Sequence, residues 1–317
     1  MRLQDMVKDR RVLVTGGAGF IGSNLVEVLA ERNKVFVYDD LSTGRMSNLD
    51  ELDAELIVGS LLDLDLLQRS CKGMDYVFHL AALPSVPRSI DDPISSNLAN
   101  QNGTLHALMA ARDSGVQRLV YASSSSVYGD TPTLPKQEDM PPNPQSPYAV
   151  SKLAGEYYCK VFTKVYKLPT VSLRFFNVFG PKQNPKSQYA AVIPKFIAQA
   201  SEGKKLTITG DGMQTRDFTF VLDVVQALLR SAVTDKADGQ ALNIARGERI
   251  TLNELGADIL SHYGRPLDGN VEYIPQRPGD ILHSLADITK ARTLIGYEPC
   301  FTVKEGIART VEYFRGV

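Results

Sequence analysis

Tyr148 and Lys152 are spaced as Tyr-x-x-x-Lys, so on a helix they stand one turn apart on the same face. That pairing has a use in proton transfer. A free phenol ionises near pH ~10, and a base working near neutrality needs about three units less, or roughly 4 kcal/mol in favour of the phenolate. A lysine ammonium one turn away and the positive end of the helix can supply part of it. Taken alone, the same spacing also describes two surface residues.

Ser123, Ser124, Ser125 and Ser126, followed by Val127-Tyr128-Gly129, come directly after the short apolar run 118–122. If that run is a strand of an open α/β sheet, the serines stand at its carboxyl end, where such sheets bind ligands. The Ser124 hydroxyl can then bond a reacting alcohol or carbonyl. The others can satisfy backbone groups of a turn.

Gly16, Gly19 and Gly22 form G-x-x-G-x-x-G between the apolar run 11–15 and an amphipathic stretch over 20–32. Strand, glycine turn and helix in that order let a pyrophosphate approach the backbone and meet the N–H groups of a helix N-terminus. A second short run, 34–38, ends in Asp39-Asp40. A carboxylate there bonds the adenosine ribose hydroxyls and repels a 2′-phosphate, so the expected cofactor is NAD and not NADP, although Arg45 leaves some room for the latter.

The elements that must hold these groups read as alternating strands and helices. Further β-rich runs occur at 55–58, 76–80, 118–122 and 170–176, with helical patterns between most of them, which implies a parallel sheet covered on both faces. The spacing predicts a long amphipathic helix over 148–167, entered through Ser146 as N-cap and Pro147 as first helical residue, and stopped by Pro169. After Asn177 the texture becomes loop-rich, with Gly180-Pro181, Gly210-Asp211-Gly212 and Pro278-Gly279. The stretches 218–233 and 241–245 are expected to return to the sheet.

With 43% hydrophobic and 22% charged residues and a formal net charge of −1, the composition is that of an ordinary globular chain. It offers no long-range field for nucleic acid or a membrane surface. Cys71, Cys159 and Cys300 fit neither a disulfide framework nor a zinc site, and the expected compartment is the reducing cytoplasm. No apolar run approaches the length of a membrane span, and residues 1–10 lack the apolar core of a signal peptide. His79, His106, His262 and His283 share no metal-like spacing, so no metal is expected.

With the glycine turn, the serine run and Tyr148/Lys152 in this order, the chain resembles the extended short-chain dehydrogenase/reductase superfamily over nearly its full length. More narrowly it is similar to the UDP-hexose 4-epimerases. Asp39-Asp40-Leu41-Ser42-Thr43-Gly44, His79-Leu80-Ala81-Ala82, the run 100–104, Arg174-Phe175-Phe176-Asn177 and the run 210–217 carry the likeness further. The resemblance implies an α/β fold with a doubly wound parallel Rossmann sheet and a smaller C-terminal α/β substrate lobe. Residues 1–176, with 217–246 returning, would bind NAD; 177–216 and 247–317 would bind the UDP-sugar. A homodimer is the implied assembly.

The resemblance also implies roles. Tyr148 takes the proton of the sugar 4-hydroxyl, Ser124 shares its hydrogen bond, Lys152 supports the base, and hydride leaves C4 and returns to the opposite face of a 4-keto sugar. Gly16, Gly19, Phe20, Ile21, Gly22, Asp39, Asp40, Ser42, Thr43 and Gly44 would hold NAD, together with Ser60, Leu61, Leu80, Ala81, Ala82, Asn100, Ser123, Tyr148 and Lys152. On the substrate side stand Ser85, Val86, Ser124, Ser125, Tyr148 and Asn177. Ala191 would be a further substrate contact, Val192, Thr207 and Ile208 would surround the uracil, and Arg216, Arg249 and Arg277 would lie near UDP, where a guanidinium fork suits a diphosphate.

Two places bear on subclass. Related dehydratases carry Asp-Glu, and decarboxylases a glutamate, where Ser125-Ser126 stand; without that acid the chemistry reduces to epimerisation. Ser284 matches a position where a bulky tyrosine admits only plain hexoses, so a serine implies UDP-GlcNAc and UDP-GalNAc, with UDP-Glc and UDP-Gal also expected. Ser60 replaces a usual aspartate at adenine, and Pro84 a lysine of some plain-hexose enzymes. The rival readings are a UDP-glucuronate 4-epimerase, against which Asn177 argues, a plain UDP-sugar reductase releasing NADH, and a non-catalytic NAD-binding sensor.

Overall fold

The computed structural model describes residues 2–185, 191–275 and 282–316. The strands are β1 Arg11–Thr15, β2 Lys34–Asp39, β3 Ala54–Val58, β4 Tyr76–His79, β5 Arg118–Ser124, β6 Thr170–Phe175, β7 Val178–Phe179, β8 Leu206–Thr209, β9 Thr215–Arg216, β10 Thr219–Phe220, β11 Gln240–Ile244, β12 Ile250–Thr251 and β13 Val271–Ile274. The helices are α1 Phe20–Ala30, α2 Leu64–Cys71, α3 Val86–Asp91, α4 Pro93–Asn97, α5 Gly103–Asp113, α6 Pro147–Tyr166, α7 Val192–Ser201, α8 Val221–Val233, α9 Leu252–Ser261, α10 Thr289–Ile295 and α11 Val303–Gly316.

Seven parallel strands form one sheet in the order β11-β6-β5-β4-β1-β2-β3. The order reverses between β1 and β4, which opens a crevice at the carboxyl ends of those strands. Burial on both faces explains the apolar run Val12-Leu13-Val14 of β1, and in β6 it buries Thr170, Ser172 and Arg174 as well as Val171, Leu173 and Phe175. One face packs Leu25, Leu29, Val224 and Leu228 against Val12, Val14 and Val171; the other packs Leu67, Leu108 and Phe162 against Leu13, Phe36 and Leu119. Each such side chain contributes roughly 1.5–3 kcal/mol on burial. Phe179, Phe196, Ile208, Leu255 and Ile307 build a third core beside the sheet, where β8 pairs with β13 and β9 with β12.

The elements form where the pattern put them, and their ends differ by a residue or two. Ser146 caps α6 by accepting the Ala149 N–H at 3.2 Å, Pro147 occupies the first turn, and Lys167 closes the helix in the left-handed conformation. β5 runs two residues past the expected Ala122, so Ser123 and Ser124 belong to the strand. The stretch 218–233 returns to the sheet as helix α8, and β11 pairs with β6 as the outermost strand.

Candidate active site

A cleft of about 910 Å³ lies across the carboxyl ends of β1, β2, β4 and β5. The glycine turn forms its floor, with Phe20 and Ile21 of α1 beside it. Gly16 has φ +72°, and a Cβ there would sit 2.6 Å from the backbone nitrogen of Ala81; at Gly22 a Cβ would sit 2.1 Å from the carbonyl of Gly16. Both positions therefore require glycine. No side chain caps α1, which leaves N–H groups of its first turn facing the cleft for an anion.

Asp39 ends β2 at the cleft wall, and its carboxylate accepts the N–H groups of Ala18 at 3.0 Å and Leu41 at 2.9 Å. Burial raises its pKa, against the lowering effect of those two bonds. Asp40 accepts the backbone and hydroxyl of Ser42. Thr43, Gly44, Ser60 and Leu61 complete this end, and Leu80, Ala81 and Ala82 line the opposite wall after β4. A close glycine turn, an uncapped helix start and a carboxylate at the second strand end together fit a dinucleotide such as NAD.

Tyr148 and Lys152 line the same cleft with Ser123, Ser85 and Ala191. Tyr148 is hydrogen-bonded to Ser124. Burial pushes the phenol above its ordinary value and the Ser124 bond opposes it, so the lowering expected from the lysine is not what this geometry gives. Lys152 is buried, and burial pushes it down to about 8. Its ammonium donates to the Ala122 carbonyl at 2.8 Å. His79, bonded to Thr15 at 2.7 Å and Thr104 at 3.0 Å, is pushed down to about 3 by burial and by Lys152. It is neutral and buried.

Glu156, absent from the expected set, is the third member of the helix face. It follows Lys152 by one further turn, accepts the Ser123 hydroxyl at 2.5 Å and pairs with Arg174 at 2.8 Å. Arg174 in turn donates to the Tyr128 hydroxyl, which bonds Asn243. The Tyr-x-x-x-Lys-x-x-x-Glu spacing was the available signal, but a carboxylate on an amphipathic helix ordinarily faces water.

A second cleft of about 320 Å³ continues from the first past Ala191. Asn177, Val192, Thr207 and Arg216 line it, joined by Lys195 and Gln214. Several expected contacts lie elsewhere. Ile208 is fully buried in the third core, because alternation along β8 turns it away from Thr207. Asn100 is buried behind the cleft wall, where it bonds the backbone of Leu83 at 2.7 and 3.2 Å and the Ser151 hydroxyl, so it props the wall. Val86 and Arg249 are exposed and outside both clefts. Ser125 starts the turn after β5, and Ser284 lies beside β9, its N–H bonded to Thr215 at 3.1 Å. Arg277 lies outside the described residues.

Known proteins are similar to this one over nearly the whole chain. A UDP-glucose 4-epimerase of Mycolicibacterium smegmatis is 41% identical, over 96% of this chain and 98% of its own. The solved UDP-N-acetylglucosamine 4-epimerase of Methanobrevibacter ruminantium, in complex with UDP-N-acetylmuramic acid, is 41% identical and superposes with a TM-score of 0.93 over 98% of this chain and 99% of that one. The UDP-glucose 4-epimerase of Thermotoga maritima, solved with UDP-glucose, is 37% identical with a TM-score of 0.91 over 96% and 99% of the two chains. The family model for NAD dependent epimerases and dehydratases matches residues 12–245. With that match over most of its length, and the glycine turn, Asp39 and Tyr148/Lys152 gathered at one cleft, the chain belongs to the NAD dependent epimerase/dehydratase family.

Proposed function

We propose that the chain is a UDP-sugar 4-epimerase that interconverts UDP-GlcNAc and UDP-GalNAc, and also UDP-Glc and UDP-Gal, through a transient 4-keto sugar. The observation that carries it is the pairing of Tyr148 on α6 with Ser124 at the end of β5, followed in the chain by Ser125 and Ser126 and not by a carboxylic acid. Among the described residues the carboxylates lining the first cleft are Asp39 and Asp40, both at the end of β2. An elimination or a decarboxylation needs an acid or base at the 4-keto sugar. Serines stand there.

NAD, when bound, supplies the hydride acceptor and donor. Tyr148 takes the 4-hydroxyl proton and later returns it, Ser124 holds the same oxygen, and Lys152 keeps positive charge close to the phenolate. Asn177, Thr207 and Arg216 in the second cleft would anchor the nucleotide while the sugar turns over, with the lobe 177–216 and 247–317 as the UDP-sugar side. Ser284, small and half-buried beside β9, supports room for an acetamido group. Relatives named for UDP-glucose and for UDP-N-acetylglucosamine support both substrates.

The same reading includes a homodimer. α6 leaves Val150, Tyr157, Val161 and Val165 exposed on one face, beside exposed Ile90, Ile94 and Leu98 from α3 and the stretch after it. A face this apolar is suited to burial against a second copy. A reducing cytoplasm agrees with the three unpaired thiols.

Incubation with UDP-Glc, UDP-GlcNAc and UDP-GlcA separately, followed by proton NMR, tests the assignment. C4 epimers of the first two are expected without growth of absorbance at 340 nm. Net NADH accumulation, or an epimer from UDP-GlcA alone, would overturn it.

A further inference from the structure

Asp217 follows Arg216 directly and is 0% exposed. Its carboxylate accepts the backbone N–H of Arg246 on Oδ1 at 3.0 Å, and those of Gly247 and Ala286 on Oδ2 at 3.1 and 3.2 Å. Its own carbonyl accepts the Asn177 side-chain amide at 3.0 Å. Two stretches far apart in the chain thus converge on its side chain, and a third on its carbonyl.

The place matters as much as the count. β9 is the middle of a three-part ribbon: β12 pairs with it on one edge, Ile250 opposite Arg216 and Thr251 opposite Thr215. On the other edge Thr215 donates to the Leu282 carbonyl at 3.0 Å and Ser284 donates to the Thr215 carbonyl at 3.1 Å. Asp217 stands where the ribbon ends. Residues 246–247 lead into β12, and Ala286 leaves the segment that holds Ser284. The carboxylate therefore ties both outer parts of the ribbon to the middle one, and its carbonyl adds Asn177.

We propose that Asp217 is a positioning residue of the UDP-sugar site, setting the mutual placement of Arg216, Ser284 and Asn177. The proposal rests on the epimerase reading, in which those three face the nucleotide-sugar. A carboxylate is the side chain that can accept three N–H groups on two oxygens. An isosteric amide leaves only one acceptor and turns an NH₂ toward backbone donors, so the ribbon must shift even when the fold survives.

Asp217→Asn tests this, with UDP as the probe because it binds without reacting. In the folded variant, with NAD content equal to wild type, calorimetry should show UDP bound at least about ten-fold more weakly, a factor typical of supporting groups around a site. The KM for UDP-GlcNAc should rise in step while kcat stays within about three-fold. Unchanged UDP affinity, or a loss confined to kcat, would overturn the proposal. If the variant does not fold, hydrogen exchange on the wild-type holoenzyme replaces it: UDP should slow exchange at the amides of Arg246, Gly247 and Ala286 together, and no change there overturns the role. Wild type that binds UDP but forms no epimer sinks the epimerase reading alone, and leaves the UDP comparison intact.

Discussion

Lys152 stands one turn after Tyr148 on α6, its ammonium 5.9 Å from the centre of the phenol ring and bonded to the Ala122 carbonyl at 2.8 Å. The contact is through space. Burial acts on the two groups in opposite senses, pushing the phenol up and the ammonium down to about 8. Each shift disfavours the charged form, so a phenolate beside an ammonium requires each to stabilise the other.

Tyr148→Phe removes the proton acceptor and leaves the ring and α6 in place. Turnover should fall by at least about three orders of magnitude while NAD stays bound. Rate measurements, with NAD quantified after denaturation, check both. Activity near wild type would show that the base is elsewhere.

Lys152→Met keeps the stem and deletes the charge. Without it the phenolate loses its partner, and the acidic limb of the kcat/KM profile should move to higher pH by about a unit or more, with a slower plateau. A profile that drops in height without moving would limit the lysine to holding the Ala122 carbonyl.

Ser284→Tyr fills the space beside β9 with a ring. Turnover of UDP-GlcNAc should drop at least about ten-fold relative to UDP-Glc, since a pocket excludes an added group more sharply than it rejects a missing one. Equal losses on the two sugars would remove Ser284 from substrate choice.

Much of this was readable in the chain because it depends on local rules. The glycine turn, the Asp39 strand end, the Ser146-Pro147 helix start and the Tyr148/Lys152 face each follow from a few adjacent residues. What escaped depends on pairing at a distance. Glu156 reads as a solvent-facing helix carboxylate until Ser123 and Arg174 are seen against it, and Asp217 reads as a loop residue until three distant amides close on it. Ile208 failed for a smaller reason: a motif marks a strand, but period-two alternation decides which of two neighbours meets the cleft.

The exposed face of α6 predicts assembly. Ile94 is 72% exposed and Val161 47%, and glutamates at both positions would bury charge in a two-fold interface. The double variant Ile94→Glu/Val161→Glu should run as a monomer in sedimentation at micromolar concentration, where wild type is expected to run as a dimer. A monomeric wild type would reject the dimer.

Stability should fall as pH rises from about 4 to 6, through the buried carboxyl of Asp223. Burial pushes it up to about 6, against the backbone bonds from Cys300 and Phe301 that lower it. Between its ordinary value of 3.8 and that value the folded chain keeps a proton that the unfolded chain has released. Its contribution is therefore complete below pH ~4 and lost as pH rises through 6. The exposed cap carboxylates Asp92, Glu254 and Glu305 are held below their ordinary values by hydrogen bonds and work in the opposite sense, at lower pH. Asp223→Asn isolates one proton, because its Oδ1 contact to the Cys300 N–H at 2.6 Å can be kept by an amide oxygen and the contact to Phe301 is long at 3.4 Å. In urea titrations from pH 4 to 6 the variant should lose up to roughly 1.4 kcal/mol per pH unit of the wild-type slope. Parallel slopes would mean that Asp223 ionises at its ordinary value and that its burial is relieved by solvent.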